Sequence, residues 1–141
     1  KILEGRTTPM VTGCVMAELR ALGERALGAA IIAKGYYRLK CGHADGEAVS
    51  ASRCISEQIG ARNERKFLVA TQDQELAQAL RQRPGVPILR LHNQVPVLEE
   101  PSSASRAVAR AGEARKLEPS AWEKPKLPEL RQREAEAAAK A

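Results

Sequence analysis

The stretch Phe67-Leu-Val-Ala-Thr-Gln-Asp73 constrains the fold more than any other. Four mostly apolar residues run into a small polar turn that ends in a carboxylate, and Gln74-Glu-Leu-Ala-Gln-Ala-Leu80 continues with helical spacing. A short apolar run bounded by turn residues and followed by a helical period predicts a buried central strand feeding a helix, a βα unit. In open α/β sheets the chemistry gathers at the carboxyl ends of the strands. Asp73 falls at such an end.

The rest of the chain supplies elements of the same kind. Thr7-Thr8-Pro9 reads as a turn and residues 10–12 as extended. Val15, Leu19 and Leu22 predict a helix from Cys14 that Gly23 closes. A second helix, about 24–34, would turn Leu27, Ala30 and Ile31 inward and end at Gly35. Tyr36–Lys40 alternates as a short strand does, and residues 41–49 form a loop. Ser50 is a good N-cap for a helix over about 51–60. A charged connection, Ala61–Lys66, leads into the central strand and its helix, about 74–83. The turn Arg83-Pro-Gly-Val-Pro87 precedes a strand at 88–92 and an extended piece at 95–98. The order α-α-β-α-β-α-β implies an α/β domain, a mostly parallel sheet with helices on its faces.

Composition shifts after Leu98. Residues 1–100 read as the domain and 101–141 as a C-terminal tail rich in Ala, Glu, Arg and Pro. Besides Trp122, the tail offers only Val108, Leu117, Leu127 and Leu130 as strongly apolar side chains, so it cannot bury a core of its own. Helices over about 103–116 and 127–140 would need a surface to dock on; an extended tail is the alternative.

With 141 residues and 43% hydrophobic content the chain can bury one real core. The net charge is +6 and the pI about 9.5, which favours a polyanionic partner. Residues 1–99 hold 14 basic and 10 acidic side chains, so the excess is not confined to the tail. Four aromatic residues, Tyr36, Tyr37, Phe67 and Trp122, are too few for the stacking platform of many single-strand binders. No apolar run reaches membrane-spanning length and no secretory signal is visible. The first residue is Lys1 rather than methionine, which leaves room for an upstream piece. An odd number of cysteines, three, argues against a closed disulfide framework and for a reducing compartment.

Three constellations could carry chemistry. Cys41-x-His43 with Cys54 and Cys14 supplies the Cys₃His set of a structural zinc site, and Gly42 and Gly46 permit tight wrapping of the loop. The alternative is three buried thiols and a surface histidine; His92, on a predicted strand far along the chain, reads as structural. Glu18 and Asp73 could bind a divalent metal for phosphodiester hydrolysis, but such chemistry needs more acids. Asp45, Glu47, Glu57, Glu64 and Glu75 fall where a solvated face is the ordinary role. Lys34, Arg38, Lys40, Arg53, Arg62, Arg65, Lys66, Arg81, Arg83 and Arg90 are either phosphate contacts or solvated charge. Neither a Walker loop nor a dinucleotide fingerprint is present.

Several motifs resemble one family. Thr12-Gly-Cys-Val-Met-Ala-Glu-Leu19, Lys40-Cys-Gly-His43, Ser50-Ala-Ser-Arg-Cys-Ile55, Phe67-Leu-Val-Ala-Thr-Gln-Asp-Gln-Glu-Leu76, Arg83-Pro-Gly-Val-Pro-Ile88 and Leu98-Glu-Glu-Pro-Ser102 are similar to the PIN-domain proteins of eukaryotic small-subunit ribosome assembly, and among them to the degenerate branch. The resemblance covers about residues 10–105 and none of the later tail. It implies a three-layer α/β/α sandwich whose N-terminal strand this chain does not contain. It also implies that Glu18 and Asp73 match two acids of the nuclease site. Active members carry Ala-Asp-Asp-Cys where this chain has Ala51-Ser52-Arg53-Cys54. Ser52 cannot supply the anionic oxygen a hard cation prefers, and Arg53 adds a cation beside the gap. The resemblance thus implies a non-catalytic RNA-binding factor, nuclear and nucleolar, with zinc held by Cys14, Cys41, His43 and Cys54. Its implied partners are precursor small-subunit rRNA, an H/ACA guide RNA and other processome proteins met by the tail, with no membrane. The rivals are an active metal-dependent PIN endoribonuclease and a protein scaffold that uses the C-terminal helices. Cys14 and Glu18, four apart on one predicted helix, share a face, so the metal and acidic sites are expected to be neighbours.

Overall fold

Strand β1 (Met10–Thr12) leads directly into helix α1 (Gly13–Ala21), because Thr12 ends the one and caps the other: its side-chain oxygen accepts the Val15 N–H at 3.3 Å. In this computed structural model, which describes residues 2–43 and 47–140, a short 3₁₀ turn (Gly23–Ala26) joins α1 to α2 (Leu27–Lys34). Strand β2 (Tyr37–Leu39) returns to pair with β1 in parallel, Val11 opposite Arg38. Helix α3 (Ala51–Ile59) starts at Ser50, whose hydroxyl accepts the Arg53 N–H, as its N-cap residue predicts. Asp45 and Gly46, read from the sequence as parts of the preceding loop, lie outside the described residues.

Strand β3 (Val69–Ala70) feeds α4 (Gln74–Arg81), and β4 (Ile88–His92) runs parallel to β3 with Val69 opposite Ile88. Strand β5 (Val95–Leu98) folds back antiparallel on β4 through Asn93 and Gln94, both at positive φ. The core gathers Ile59, Val69, Leu76, Ala77, Leu80, Val86 and Ile88, with Ile55 and Phe67 packed against it. The 67–73 stretch therefore feeds the core as its apolar run predicts. Its regular ladder is only two residues long and lies at an edge of the order β3-β4-β5, not at the centre. Gln72 continues the pairing with its side chain, whose amide donates to the Leu91 carbonyl at 3.0 Å and accepts the Leu91 N–H at 3.3 Å.

The described strands form two ladders, β1-β2 and β3-β4-β5, rather than one continuous sheet. A cleft of about 740 Å³ lies between them, lined by Met10, Val11, Leu39, Phe67, Val69 and neighbouring residues. Val69 donates its amide to the Pro87 carbonyl just ahead of β4 and Thr71 to the Leu89 carbonyl within it, so Leu68 and Ala70 turn their backbone groups the other way.

Helix α2 departs from expectation. Its buried residues are Ala30 and Ala33, while Leu27 and Ile31, predicted inward, are exposed, as is Leu22 at the end of α1. Cys14 and Met16 are the buried residues of α1. Residues 107–141 make a separate unit from 1–106. Helix α5 (Ser103–Leu117) runs across that boundary; a 3₁₀ turn (Lys124–Lys126) and α6 (Leu127–Lys140) follow, and no residue of α5 or α6 is buried.

Candidate metal centre and acidic site

Four side chains from three segments converge where α1, the end of the β2 segment and α3 meet. Cys14 comes from the first turn of α1, Cys41 and His43 from the chain just after β2, and Cys54 from the first turn of α3. Their ligand atoms all lie within 4.8 Å of one another. Cys14 Sγ is 3.9 Å from Cys41 Sγ and 3.3 Å from His43 Nδ1. Cys14 and Cys54 are buried, and no disulfide joins any of the three cysteines. These four residues could hold a metal ion, and they are the only such group of His, Cys, Asp and Glu among the described residues.

The surroundings orient the ligands. His43 Nε2 meets Glu57 Oε2 at 2.9 Å, and Arg53 Nε donates to the other Glu57 oxygen at 2.9 Å. A carboxylate on Nε2 keeps the proton there and leaves Nδ1 free to donate its lone pair into the cluster. Arg53 first, and then His43, hold Glu57 below the usual carboxylate range. Hydrogen bonding at the His43 backbone lowers the Cys41 thiol to about 6, so it is ready as a thiolate. Burial pushes the Cys54 thiol up to about 12, and its Sγ donates to Thr12 Oγ1 at 3.3 Å.

The acidic positions are held differently. Glu18 Oε1 accepts the Ala51 N–H at 2.6 Å, so it caps the start of α3. Asp73 Oδ1 accepts the N–H groups of Glu75 at 2.9 Å and Leu76 at 3.1 Å, the N-cap of α4. Its other oxygen accepts the Ser52 hydroxyl at 2.6 Å. Both carboxylates therefore meet the first turn of α3, on which Cys54 also sits. The Ser52 hydroxyl, followed by the Leu76 amide, holds Asp73 below its ordinary value of 3.8. A depressed pKa gives stability that is present above the ordinary value and lost as pH falls through the folded one. Asp73→Ala is expected to lower the melting midpoint at pH 7, Asp73→Asn much less, and in acid-melting curves the gap to wild type should begin to narrow below about pH 4 and go on narrowing as pH falls through the lowered pKa.

The cationic candidates separate by partner. Arg83 donates to the Ser56 carbonyl at 2.6 Å, the Gly60 carbonyl at 3.1 Å and Ser56 Oγ at 2.7 Å, bracing the end of α3. Arg81 and Arg90 both bind Glu99, at 2.8 and 3.0 Å, tying α4 to the β4-β5 hairpin. Arg65 lies 4.8 Å over the Phe67 ring, and Arg53 is on Glu57. Lys34, Arg38, Lys40, Arg62 and Lys66 are exposed. His92 is exposed at the end of β4, with no place in the metal cluster.

One residue of the charged connection, Ala61–Lys66, braces the approach to β3. Asn63 is buried at positive φ, donates to the Phe67 and Gly85 carbonyls at 2.7 Å each, and accepts the Phe67 N–H at 2.8 Å. Asn tolerates the left-handed region and is favoured in turns, which is the one clue the sequence offers.

The Fcf1 family profile matches residues 1–100. The chain belongs to the Fcf1 family. The rRNA-processing protein utp23 of Schizosaccharomyces pombe is 40% identical over 107 residues, 74% of this chain and 41% of that protein. The rRNA-processing protein fcf1 of the same organism is 40% identical over 93 residues, 64% of this chain and 46% of the relative. The chain thus spans less than half the length of either. The solved structure of the PIN domain endonuclease Utp24 superposes with a TM-score of 0.58 at 39% identity, covering 66% of this chain and 68% of that one. The Fcf1-family chain described here has the α/β PIN-like fold that its motifs led one to expect.

Proposed function

We propose that this chain is a ribosome-assembly factor that binds RNA during small-subunit rRNA processing without cutting it. The observation that carries the reading is the Ser52–Asp73 hydrogen bond of 2.6 Å. Where a nuclease would place a third carboxylate, a neutral hydroxyl occupies one oxygen of Asp73, and helix amides hold the other. Glu18 is likewise engaged by the Ala51 amide. With three hydrogen bonds on its two oxygens, Asp73 has few lone pairs left for Mg²⁺. The names of the relatives support the process, rRNA processing.

Zinc is the metal that suits the cluster. Zn–S bonds of about 2.3 Å in a tetrahedron set neighbouring sulfurs about 3.8 Å apart, and Cys14 and Cys41 are at 3.9 Å. Cys14, Cys41, His43 and Cys54 would hold it, and it would fasten the segment after β2 to α1 and α3. The exposed cations Arg62 and Lys66, with Lys34, Arg38 and Lys40, are proposed to meet phosphates; Arg53, Arg65, Arg81 and Arg83 would contribute at most through the charge they keep beside their present partners. Precursor small-subunit rRNA, an H/ACA guide RNA, processome proteins on the tail, and a nucleolar site of action belong to the same proposal.

In-cell crosslinking with sequencing of the bound RNA is expected to enrich small-subunit precursor rRNA together with an H/ACA guide RNA. Transfer RNA, messenger RNA or background alone would overturn the reading. The second reading, an active endoribonuclease, is favoured by the likeness to the Utp24 endonuclease. It requires Mn²⁺- or Mg²⁺-dependent cleavage of precursor rRNA that Asp73→Asn abolishes.

A further inference from the structure

The contacts around the metal cluster form a run of their own. Glu57 divides its two oxygens: one meets His43 Nε2 and the other accepts from Arg53 Nε, both at 2.9 Å. Side-chain exposure falls along the series, from 70% at Arg53 through 43% at Glu57 to 20% at His43. The series ends on the buried Cys14, whose Sγ is 3.3 Å from His43 Nδ1. Unbroken contact therefore leads from a solvent-facing guanidinium to the sulfurs.

Each link has a geometric reason. Arg53 and Glu57 are four apart on α3, so they stand one turn from each other on one face. Arg53 follows Ser52, which is on Asp73, yet the Arg53 guanidinium donates to Glu57 and not to Asp73 or Glu18. A half-exposed glutamate samples several rotamers, and holding it in one costs side-chain entropy. A second anchor on its free oxygen offsets that cost. Glu57 then presents Oε2 at one place, and the imidazole is held with Nδ1 toward the cluster.

We propose that Arg53 is a positioning residue of the metal centre, acting through Glu57 on His43. The role rests on the reading of Cys14, Cys41, His43 and Cys54 as a zinc site. Its size follows from exposure. An exposed ion pair changes an equilibrium constant a fewfold, whereas a carboxylate directly on a ligand histidine changes metal affinity tenfold or more.

Competition with a chromophoric chelator gives the zinc affinity of full-chain variants. Glu57→Ala is expected to weaken zinc about tenfold or more, and Arg53→Gln about threefold. Arg53→Asp should weaken it further than Arg53→Gln, because a carboxylate four residues before Glu57 repels it. Arg53→Lys keeps the charge at that spacing and should restore most of the loss. Arg53→Gln is then placed in two other backgrounds. Its effect should vanish in Glu57→Ala, and also in His43→Cys, where no imidazole is left to orient. Plain helix pairing would vanish in Glu57→Ala but persist in His43→Cys, and charge acting directly on the cluster would persist in both. Persistence in either background overturns the proposal. If His43→Cys holds no zinc, melting of Arg53→Gln decides instead: a loss seen only with zinc bound supports positioning, and an equal loss without zinc overturns it. Wild-type affinity in both Arg53→Gln and Arg53→Asp removes this role and leaves the zinc site standing. A wild-type chain that binds no zinc overturns the zinc reading and this role with it.

Discussion

Cys54→Ser is expected to strip the proposed zinc from the chain and to lower stability by on the order of 4 kcal/mol or more, beyond what ordinary substitutions cost. Cys54 is fully buried at the start of α3, and its Sγ faces Thr12 at the end of β1. Serine would keep that short contact but give the metal a hard, poorly ionised oxygen in place of a thiolate. With three ligands left, the segment carrying Cys41 and His43 loses its fastening to α1 and α3. Metal analysis and thermal melting of mutant and wild type in parallel check this. A Glu57→Gln chain offers the contrast, since the amide can still accept from His43 Nε2; it should retain metal with reduced affinity. Full metal content in Cys54→Ser would remove Cys54 from the site.

Asn63→Ala is expected to cost about 4 kcal/mol, from three hydrogen bonds of roughly 1 kcal/mol each and about 1 kcal/mol for the strain of a positive φ without Asn or Gly. Asn63 joins the connection after α3 both to the approach to β3 and to the Gly85 turn ahead of β4, so its loss loosens the strand that leads to Asp73. Asn63→Gly keeps the left-handed backbone and loses only the bonds, and should fall about 1 kcal/mol short of the Ala effect. Asn63→Asp should be at least as damaging as Ala, because it turns a carboxylate toward the Phe67 and Gly85 carbonyls. Chemical denaturation resolves the three variants; equal stability of Asn63→Ala and wild type would refute this role.

What was legible in the sequence follows from how local the physics is. Ser50 as an N-cap and the strand–turn–helix run through Asp73 rest on residue types whose chemistry permits few alternatives, whereas the Cys14, Cys41, His43 and Cys54 set leaves buried thiols and a surface histidine open on residue types alone, and the family resemblance is what points to their convergence. Helix α2 turns Ala30 and Ala33 inward rather than Leu27 and Ile31, and Leu-Gly-Ala-Ala-Ile-Ile-Ala is apolar on every side. A helical period cannot choose between an alanine stripe and a leucine–isoleucine stripe, and close packing favoured the smaller one. The apolar run at 67–70, bounded by a polar turn and followed by a helical period, predicts a central strand, yet its ladder lies at an edge facing a cleft. Asn63 and Gln72 escaped notice because each works through side-chain amide bonds to backbone distant in sequence, which no pattern of neighbours encodes.

X-ray absorption at the zinc edge on the purified full chain tests the central claim most directly. The account predicts one zinc per chain with a first shell of three sulfurs at about 2.3 Å and one nitrogen at about 2.0 Å. A shell of oxygens, or a folded chain that carries no zinc, would contradict it.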